Sequence, residues 1–180
     1  MIETRPLSDQ ELAEAMDLKI RCWSEELAGR AENTLSLEKE LPFYRKWIEG
    51  ETEYEDLRIL LGTFEEGRLL GVAIGSFAEE EDGKDAMELN GLWVEESARG
   101  RGISLLLLRS LISPFLAEGK DTMVVYSHHH APSNSFYRRF QGELLRQERQ
   151  MGGKLLIDVF QLNLPALQDQ VNKDMERYQL

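Results

Sequence analysis

Residues 92–112 of this 180-residue chain read LWVEESARGRGISLLLLRSLI: the end of a strand, a short loop rich in glycine and arginine, and an apolar helix. The first amides of a helix have no intrahelical acceptor, and the helix dipole makes that end partly positive. Gly100 and Gly102 allow an anion to approach the backbone without a Cβ in the way. Arg99 and Arg101 add positive charge. The stretch therefore predicts a cradle for a phosphate group.

The two most familiar phosphate-binding loops do not fit this stretch. It lacks the third glycine of a dinucleotide fingerprint, and the chain contains no GxxxxGK[ST]. The chain carries 21 basic and 33 acidic side chains, a formal charge of −12. This charge disfavours nucleic acid and anionic membrane surfaces as partners and favours cationic ones. The segment from Arg99 to Arg109 is locally positive, because it contains three arginines and no carboxylate.

Outward from the loop, hydrophobic periodicity predicts the element order β α α β β β α β α β β and then a helical tail. The predicted strands are 2–7, 57–64, 69–77, 87–94, 122–127, 143–151 and 154–162. Ser8 and Glu11 predict a capping box for a first helix that ends near Ala28, and a second helix covers residues 36–48. Ser113-Pro114 is predicted to interrupt the helix that begins near Gly102 and to restart it. A short helix is predicted over residues 134–140.

This order predicts an α/β (mixed α+β) fold with a mixed, largely antiparallel twisted sheet. Helices are expected on both faces, a βαβ crossover at the centre and hairpins at both ends. The chain has no internal repeat and no linker-like tract, so we expect one domain over residues 1–180 with a helical tail over 165–180.

Two motifs carry a resemblance to a known family. Arg99-Gly-Arg-Gly102-Ile103-Ser104 resembles the [Q/R]-x-x-G-x-[G/A] pyrophosphate motif of the GNAT superfamily of acetyl-CoA-dependent N-acetyltransferases, with serine at 104 in place of glycine or alanine. It follows a strand that ends in Leu92 and Val94, as in the family. Residues 132–142, PSNSFYRRFQG, are similar to the family's P-x-x-x-F-Y-x-x-x-G-[GF] segment beside the coenzyme thiol, with Ala131 where many relatives have asparagine. The motifs and element order cover roughly residues 55–162.

The resemblance implies a site and a reaction. Acetyl-CoA would enter between the splayed ends of strands 87–94 and 122–127, and a neutral amine would attack its thioester. A backbone N–H near Val94 would polarise the thioester carbonyl. The implied coenzyme-binding residues are Leu92, Trp93, Val94, Arg99, Gly100, Arg101, Gly102, Ile103, Ser104, Asn134 and Tyr137. No metal is expected. The acceptor, a small-molecule or peptide amine, matches no motif, and the net acidity favours a cationic one.

Glu88 and Tyr137 are the candidate catalytic residues. Glu88 and Asn90 are predicted to share a strand face with Leu92 and Val94, and a carboxylate facing a buried layer is costly unless it is paired or functional. GNAT members that use a strand glutamate as general base carry it here, and the alternative is an exposed strand start. Tyr137 matches the family's thiolate-protonating tyrosine. The alternative is an aromatic ring that packs its helix.

Other conspicuous residues receive structural interpretations. His128, His129 and His130 cannot all point at one ion from an extended segment, so a structural or loop role is expected, although one of them could carry protons. Residues 79–82 are expected to form a solvated hairpin tip. Trp23 and Trp47 are expected in the core.

The remaining expectations concern cell compartment and alternative functions. Cys22 is the only cysteine and the N-terminus shows no apolar signal region, so we expect a cytoplasmic protein with no membrane partner. The last two strands could pair across a homodimer. Two alternatives to an enzyme remain open: an acetyl-CoA sensor of the same fold, and a partner-binding domain whose loop binds no nucleotide.

Overall fold

The computed structural model describes residues 1–179, and seven strands and five helices lie within them. The strands are β1 Ile2–Pro6, β2 Ile59–Glu65, β3 Arg68–Phe77, β4 Ala86–Val94, β5 Thr122–His128, β6 Glu143–Gln150 and β7 Leu155–Asn163. The helices are α1 Leu12–Leu27, α2 Leu37–Glu49, α3 Ile103–Ala117, α4 Ser133–Arg139 and α5 Leu164–Tyr178. The predicted element order is confirmed. The helical tail predicted over residues 165–180 corresponds to α5. Leu180, the last residue of that prediction, lies outside the described residues.

The seven strands form one sheet in the order β1-β2-β3-β4-β5-β7-β6. Every neighbouring pair is antiparallel except β4 and β5, the two strands joined by α3. Pairing between β4 and β5 covers only three positions, from Ala86 opposite Thr122 to Glu88 opposite Val124. Beyond Glu88 the two strands part, and this opens a gap at the centre of the sheet. The predicted mixed fold is therefore confirmed.

Helices cover both faces of the sheet. The leucine run of α3 is buried nearly all round, because α3 packs between the sheet and α5, which contributes Leu167 and Val171 to the same core. On the opposite face α1 and α2 pack over β2 and β3. Helix α3 is thus held in place by burial on most sides, whereas α1 and α2 carry polar outer surfaces over the other face.

Helix α3 does not break at Ser113-Pro114, so that prediction is wrong. The helix runs continuously to Ala117 with Pro114 inside it. The Ser113 hydroxyl donates to the Arg109 carbonyl at 3.1 Å, and Phe115 is fully buried against the sheet. Burial of a phenylalanine contributes about 2 kcal/mol or more, which offsets much of the loss that proline causes in a helix. Tertiary packing therefore overrides the local preference.

The predicted capping box at the start of α1 forms only in part. The helix begins at Leu12, and its cap residue, Glu11, makes no side-chain cap bond. The Glu11 carboxylate accepts hydrogen bonds from the Ser8 N–H at 2.9 Å and from Arg5 at 2.7 Å. Arg5 lowers the pKa of Glu11 to about 2. The other half of the box is missing because the Ser8 hydroxyl donates to the same carboxylate at 2.8 Å, and the Glu11 N–H donates to the Ser8 carbonyl instead of the hydroxyl.

Candidate active site

The loop before α3 presents a row of free backbone amides. Gly100 and Gly102 have φ angles of 76° and 80°, the left-handed region that favours glycine. The first N–H groups of α3 that donate a hydrogen bond are those of Leu105 and Leu106, and both donate to the Gly102 carbonyl. In the described part of the chain, the amides of residues 100–104 donate to no backbone carbonyl or side chain. Five consecutive backbone donors without an acceptor therefore lie at the loop where an anion is predicted to bind.

The arginines of the loop already have partners. Arg99 forms an ion pair with Glu25 at 2.8 Å and donates to the Val94 carbonyl at 3.1 Å. Arg101 pairs with Glu65 at 2.6 Å. No acidic residue lies in the first turn of α3. The unpartnered groups at this loop are thus backbone amides, and the guanidinium charges are shared with carboxylates.

A cleft of about 430 Å³ leads from this loop into the sheet. Arg99 and Ser104 line its outer end, and Phe136 of α4 lines its wall. A second cavity of about 400 Å³ fills the gap between β4 and β5 and reaches Tyr137. Both spaces are lined by Glu26, Leu92, Trp93 and Ser133. The two spaces therefore adjoin, and together they are called the path from the glycine loop to the centre of the sheet.

A β-bulge interrupts β4 inside this gap. Gly91 pairs with Ile74 while Leu89 pairs with Gly75, so Asn90 is an extra residue with no partner on β3. A Cβ on Gly91 would lie 2.0 Å from the Trp93 ring, so the indole packs directly over the Gly91 backbone. The bulge holds Trp93 against the strand at the junction of the two spaces.

The bulge also changes the face on which Glu88 lies. Met87 and Leu89 before the bulge, and Leu92 and Val94 after it, pack into the same core under α3. The side-chain alternation is therefore reversed across the bulge, and Glu88 faces the opposite side, toward α1 and α2. The prediction that Glu88 shares a face with Leu92 and Val94 is wrong, because strict alternation does not anticipate an inserted residue.

Glu88 lies at the last paired position of β4, where the gap begins. Its carboxylate accepts a hydrogen bond from the Asn90 side chain at 2.6 Å, and Asn90 lines the central cavity. Burial, followed by the nearby charges of Glu79 and Asp82, raises the pKa of Glu88 to about 7. The side chain is thus half ionised near neutral pH, a state suited to accepting and releasing a proton.

Tyr137 lies on the wall of the central cavity, on α4. It is buried, and burial raises its pKa well above the ordinary value, so the phenol keeps its proton at neutral pH. Gly142 fixes this helix from behind, since a Cβ there would lie 2.8 Å from the Tyr137 carbonyl oxygen. Gln141 ends α4 with a φ of 62°, a conformation more usual for glycine.

The other residues predicted to bind the coenzyme differ in whether they line the cleft. Leu92, Trp93 and Val94 line the outer cleft. Ile103 is fully buried, so it can offer only its backbone N–H. Asn134 lies behind the cleft wall, where its Nδ2 donates to the carbonyls of His128 and His129 at 2.9 Å each. A direct contact between Asn134 and the coenzyme stays a prediction.

Residues 79–82 do not form a wholly solvated tip, so that prediction is wrong for one residue. The side chain of Asp82 is 1% exposed and pairs with Arg146 of β6 at 2.7 Å. The Tyr126 hydroxyl donates to the same carboxylate, and Arg146 donates to the Tyr126 oxygen at 2.6 Å. Asp82 is buried because two long side chains from distant strands close over it, and Tyr126 also lines the central cavity.

Sequence reasoning also missed Glu26. This residue lies in the last turns of α1 and lines both parts of the path. Burial, and then the neighbouring Glu25, raises its pKa to about 7. It has no ion pair in the described part of the chain. No motif marks it, because its place depends on how α1 crosses the gap. Trp23, predicted to be core, also lines the central cavity.

No helix in residues 1–179 is both long enough and apolar enough to cross a membrane. Within the same residues no group of three histidine, cysteine, aspartate or glutamate side chains is placed to hold a metal ion.

Comparison with known proteins identifies the class. The model of the acetyltransferase (GNAT) family matches residues 13–142, which is most of the chain. The chain therefore belongs to the GNAT family of acetyltransferases, and it is an acyltransferase that uses acetyl-CoA. No curated protein sequence matches it.

Solved structures of similar fold include several acetyltransferases. A ribosomal-protein-alanine N-acetyltransferase from Brucella melitensis is 21% identical, with a TM-score of 0.67 over 89% of this chain and 99% of that one. A putative acetyltransferase from Salmonella typhimurium, solved with acetyl-CoA, is 21% identical (TM-score 0.67, 91% and 94% covered). The PaiA N-acetyltransferase from Thermoplasma acidophilum, solved with coenzyme A, is 18% identical (TM-score 0.68, 91% and 99% covered). At such identities the likeness establishes the fold.

Proposed function

We propose that this protein transfers the acetyl group of acetyl-CoA to a primary amine, with the pyrophosphate held by the amides of residues 100–104. The observation that carries the proposal is the row of five unpartnered amides, which opens directly onto the path into the sheet. A phosphate group at the start of α3 would satisfy these donors and the helix dipole together. The free edge of β4 beyond Glu88 then offers backbone groups to the pantetheine arm, as if to an added strand.

The thioester would lie beside Val94 and the central cavity. The Glu95 N–H donates to the Leu70 carbonyl on β3 at 2.8 Å. Successive residues of a strand direct their backbone groups to opposite edges, so the N–H of Val94 faces the gap. A donor fixed there would stabilise negative charge on the thioester oxygen as the amine attacks.

Glu88 and Tyr137 supply the proton transfers in this mechanism. The attacking nitrogen forms a bond to the acyl carbon, the carbon–sulfur bond breaks, and the nitrogen loses a proton. Glu88 accepts a proton from the amine, directly or through a water molecule in the cavity lined by Asn90. Tyr137 donates its phenolic proton to the leaving thiolate from the opposite wall.

The acceptor side favours a cationic amine. Lys19 is neutralised by Glu40 at 2.5 Å, and Arg146 by Asp82. Glu26, which lines the cavity, and Glu88, which accepts a hydrogen bond from the cavity-lining Asn90, both carry partial negative charge near neutral pH. Trp23 adds an aromatic face to the same wall, and such faces attract cations. We propose a small amine that carries a second positive charge as the preferred acceptor.

The test of coenzyme binding is Ser104→Asp. This residue lies in the first turn of α3 and lines the cleft. A carboxylate there should stabilise the helix slightly through its dipole, yet repel a pyrophosphate a few ångströms away. With roughly 3 kcal/mol of repulsion at an effective dielectric constant near 20, we expect acetyl-CoA affinity to fall about 100-fold in calorimetry, with no loss of melting temperature.

Ser104→Asn is the matched control, because it has the same shape as aspartate without the charge. It should bind acetyl-CoA within a few-fold of wild type. Equal affinity in wild type and Ser104→Asp would place the phosphates elsewhere.

A second experiment tests the acceptor. Thiol release from acetyl-CoA is measured with a panel of spermidine, tyramine and a peptide with N-terminal alanine. A preference for the peptide, which has no second positive charge, would contradict the proposal that the acceptor is a cationic small amine.

A further inference from the structure

The end of β5 contains a buried histidine that the mechanism above does not use. His128 is the last residue of the strand, is 4% exposed and lines the central cavity together with Tyr137. Its ring atom Nδ1 is buried and has no hydrogen-bond partner within the described chain. A buried polar atom that serves only packing is usually bonded, since leaving it unmade costs about 1–3 kcal/mol. This atom therefore indicates a ligand, a water molecule or a proton in the cavity.

The next histidines continue from the cavity toward solvent. The rings of His128 and His130 lie 5.6 Å apart between centroids, and His130 is exposed. The Nδ1 of His129 contacts the buried carboxylate of Asp158 at 2.9 Å, and the His129 ring also lies 4.8 Å from the ring of His130 between centroids. The distance between the first and third rings is suited to transfer through one bridging water. His128 and His130 thus connect the cavity with the surface.

The proposed reaction needs such an exit. An ammonium acceptor and acetyl-CoA give an amide, a free thiol and one proton. Tyr137 gives its proton to the thiolate and must regain one, whereas the ammonium group and the attacking nitrogen together lose two. One proton per turnover must therefore leave the cavity lined by β4, β5 and α4.

We propose that His128 accepts this proton from the cavity and passes it through His130 to solvent. The inference rests on the acetyl transfer proposed above. His128 is tied in place from behind, since the Asn134 side chain holds its carbonyl at 2.9 Å. The ring is thereby kept between the cavity and the turn.

The charged neighbours of His128 suit this role. Burial, and then His130, Arg30 and His129, lower the pKa of His128, while Asp158 opposes them. Partial desolvation, Arg30 and His129 likewise lower the pKa of the exposed His130, and Asp158 again opposes them. The lowered pKa values favour the neutral rings at neutral pH and favour release of a transferred proton to solvent. The rings become increasingly protonated only as the pH falls below the ordinary range of histidine, so the exit should fail on the acid side.

The experiment compares His128→Gln and His130→Gln with wild type in thiol release, with the fastest amine of the panel and little buffer. We expect kcat to fall about tenfold or more for both variants. Acetyl-CoA affinity should be unchanged in calorimetry. Added imidazole buffer should restore kcat in His130→Gln, because a mobile base can replace the exposed ring.

The outcomes separate the two proposals. If wild type transfers acetyl to no amine, the proposed function fails. If wild type is active and His130→Gln keeps its full kcat at low buffer, the relay is overturned alone. Since His130 is exposed, this variant remains decisive even if His128→Gln does not fold. If kcat falls in His128→Gln and His130→Gln but added imidazole does not restore it in His130→Gln, the route through His130 is also overturned.

Discussion

The proposed coenzyme end and the proposed acceptor end of the path are built in different ways. The proposed coenzyme end is one contiguous stretch, residues 99–104, and its anion site would consist of the amides of residues 100–104 and two positive-φ glycines. The acceptor end is assembled from α1, the bulge of β4, the end of β5 and α4. One buried cluster there, Asp82 with Arg146, joins residues 64 positions apart.

This difference determines how strongly the function of each end depends on the identity of its side chains. Backbone donors depend little on side-chain identity, so a chain can keep the phosphate cradle while its other residues change. The acceptor end depends on side chains brought together by tertiary contacts, so small changes in α1 or residues 79–82 alter the charge around the amine. The three changes below test this division, and the largest effect is expected where both ends meet.

Tyr137→Phe should give the largest effect, because Tyr137 lies where the proposed positions of the thiol and the acceptor meet. Removing a positioned proton donor costs about 10²–10⁴ in rate. We expect kcat to fall by that factor in thiol-release assays while calorimetry shows unchanged acetyl-CoA affinity. Tyr137 is buried, so its hydroxyl leaves a small gap, and the melting temperature serves as the control for packing.

A rate within about threefold of wild type would assign the acid role to another group. Loss of both affinity and rate would instead mean that Tyr137 holds the coenzyme. The comparison between the two ends would then need revision, since one residue would belong to both.

Glu88→Gln should act on the acceptor end alone. The pKa of Glu88 is about 7, so as a base it becomes active as pH rises through 7 and inactive as pH falls below it. At neutral pH we expect kcat/KM to fall about 10²-fold, with partial recovery at higher pH as more acceptor arrives as free amine. Acetyl-CoA affinity should hardly change.

The pH profile separates base catalysis from positioning. Wild type should show a rising limb near pH 7 that Glu88→Gln lacks. A uniform loss at every pH would mean that the carboxylate holds the positive charge of the acceptor. Parallel profiles of equal height would remove Glu88 from the site.

The element order and the family could be predicted from the sequence because both depend on local patterns. The phosphate-binding loop was predicted from two arginines and two glycines, and the βαβ crossover from the strand–helix alternation around it. The face of Glu88 was not predictable, since the bulge at Asn90 leaves no signal in a two-residue period. Glu26 and Asp82 were missed for a related reason: an acidic residue reads as solvated until a partner or a cavity from a distant segment buries it.

The smallest effect is expected from Glu65→Gln at the coenzyme end. Glu65 pairs with Arg101 at 2.6 Å, and both side chains are about 40% exposed. A pyrophosphate in the cradle must compete with this carboxylate for the guanidinium. Exposed ion pairs contribute up to about 1 kcal/mol, so removing Glu65 should tighten acetyl-CoA binding by at most about fivefold.

Glu66→Gln provides the control, because it changes the net charge equally at the neighbouring turn position without touching Arg101. Calorimetry at low salt should separate the two variants, and the gain in Glu65→Gln should shrink at about 1 M salt, where the Debye length is roughly 3 Å. Equal tightening in both variants would mean that acetyl-CoA senses only the overall charge of −12. No tightening in either would mean that Arg101 stays with Glu65 when the coenzyme binds, and that the backbone amides alone hold the phosphates.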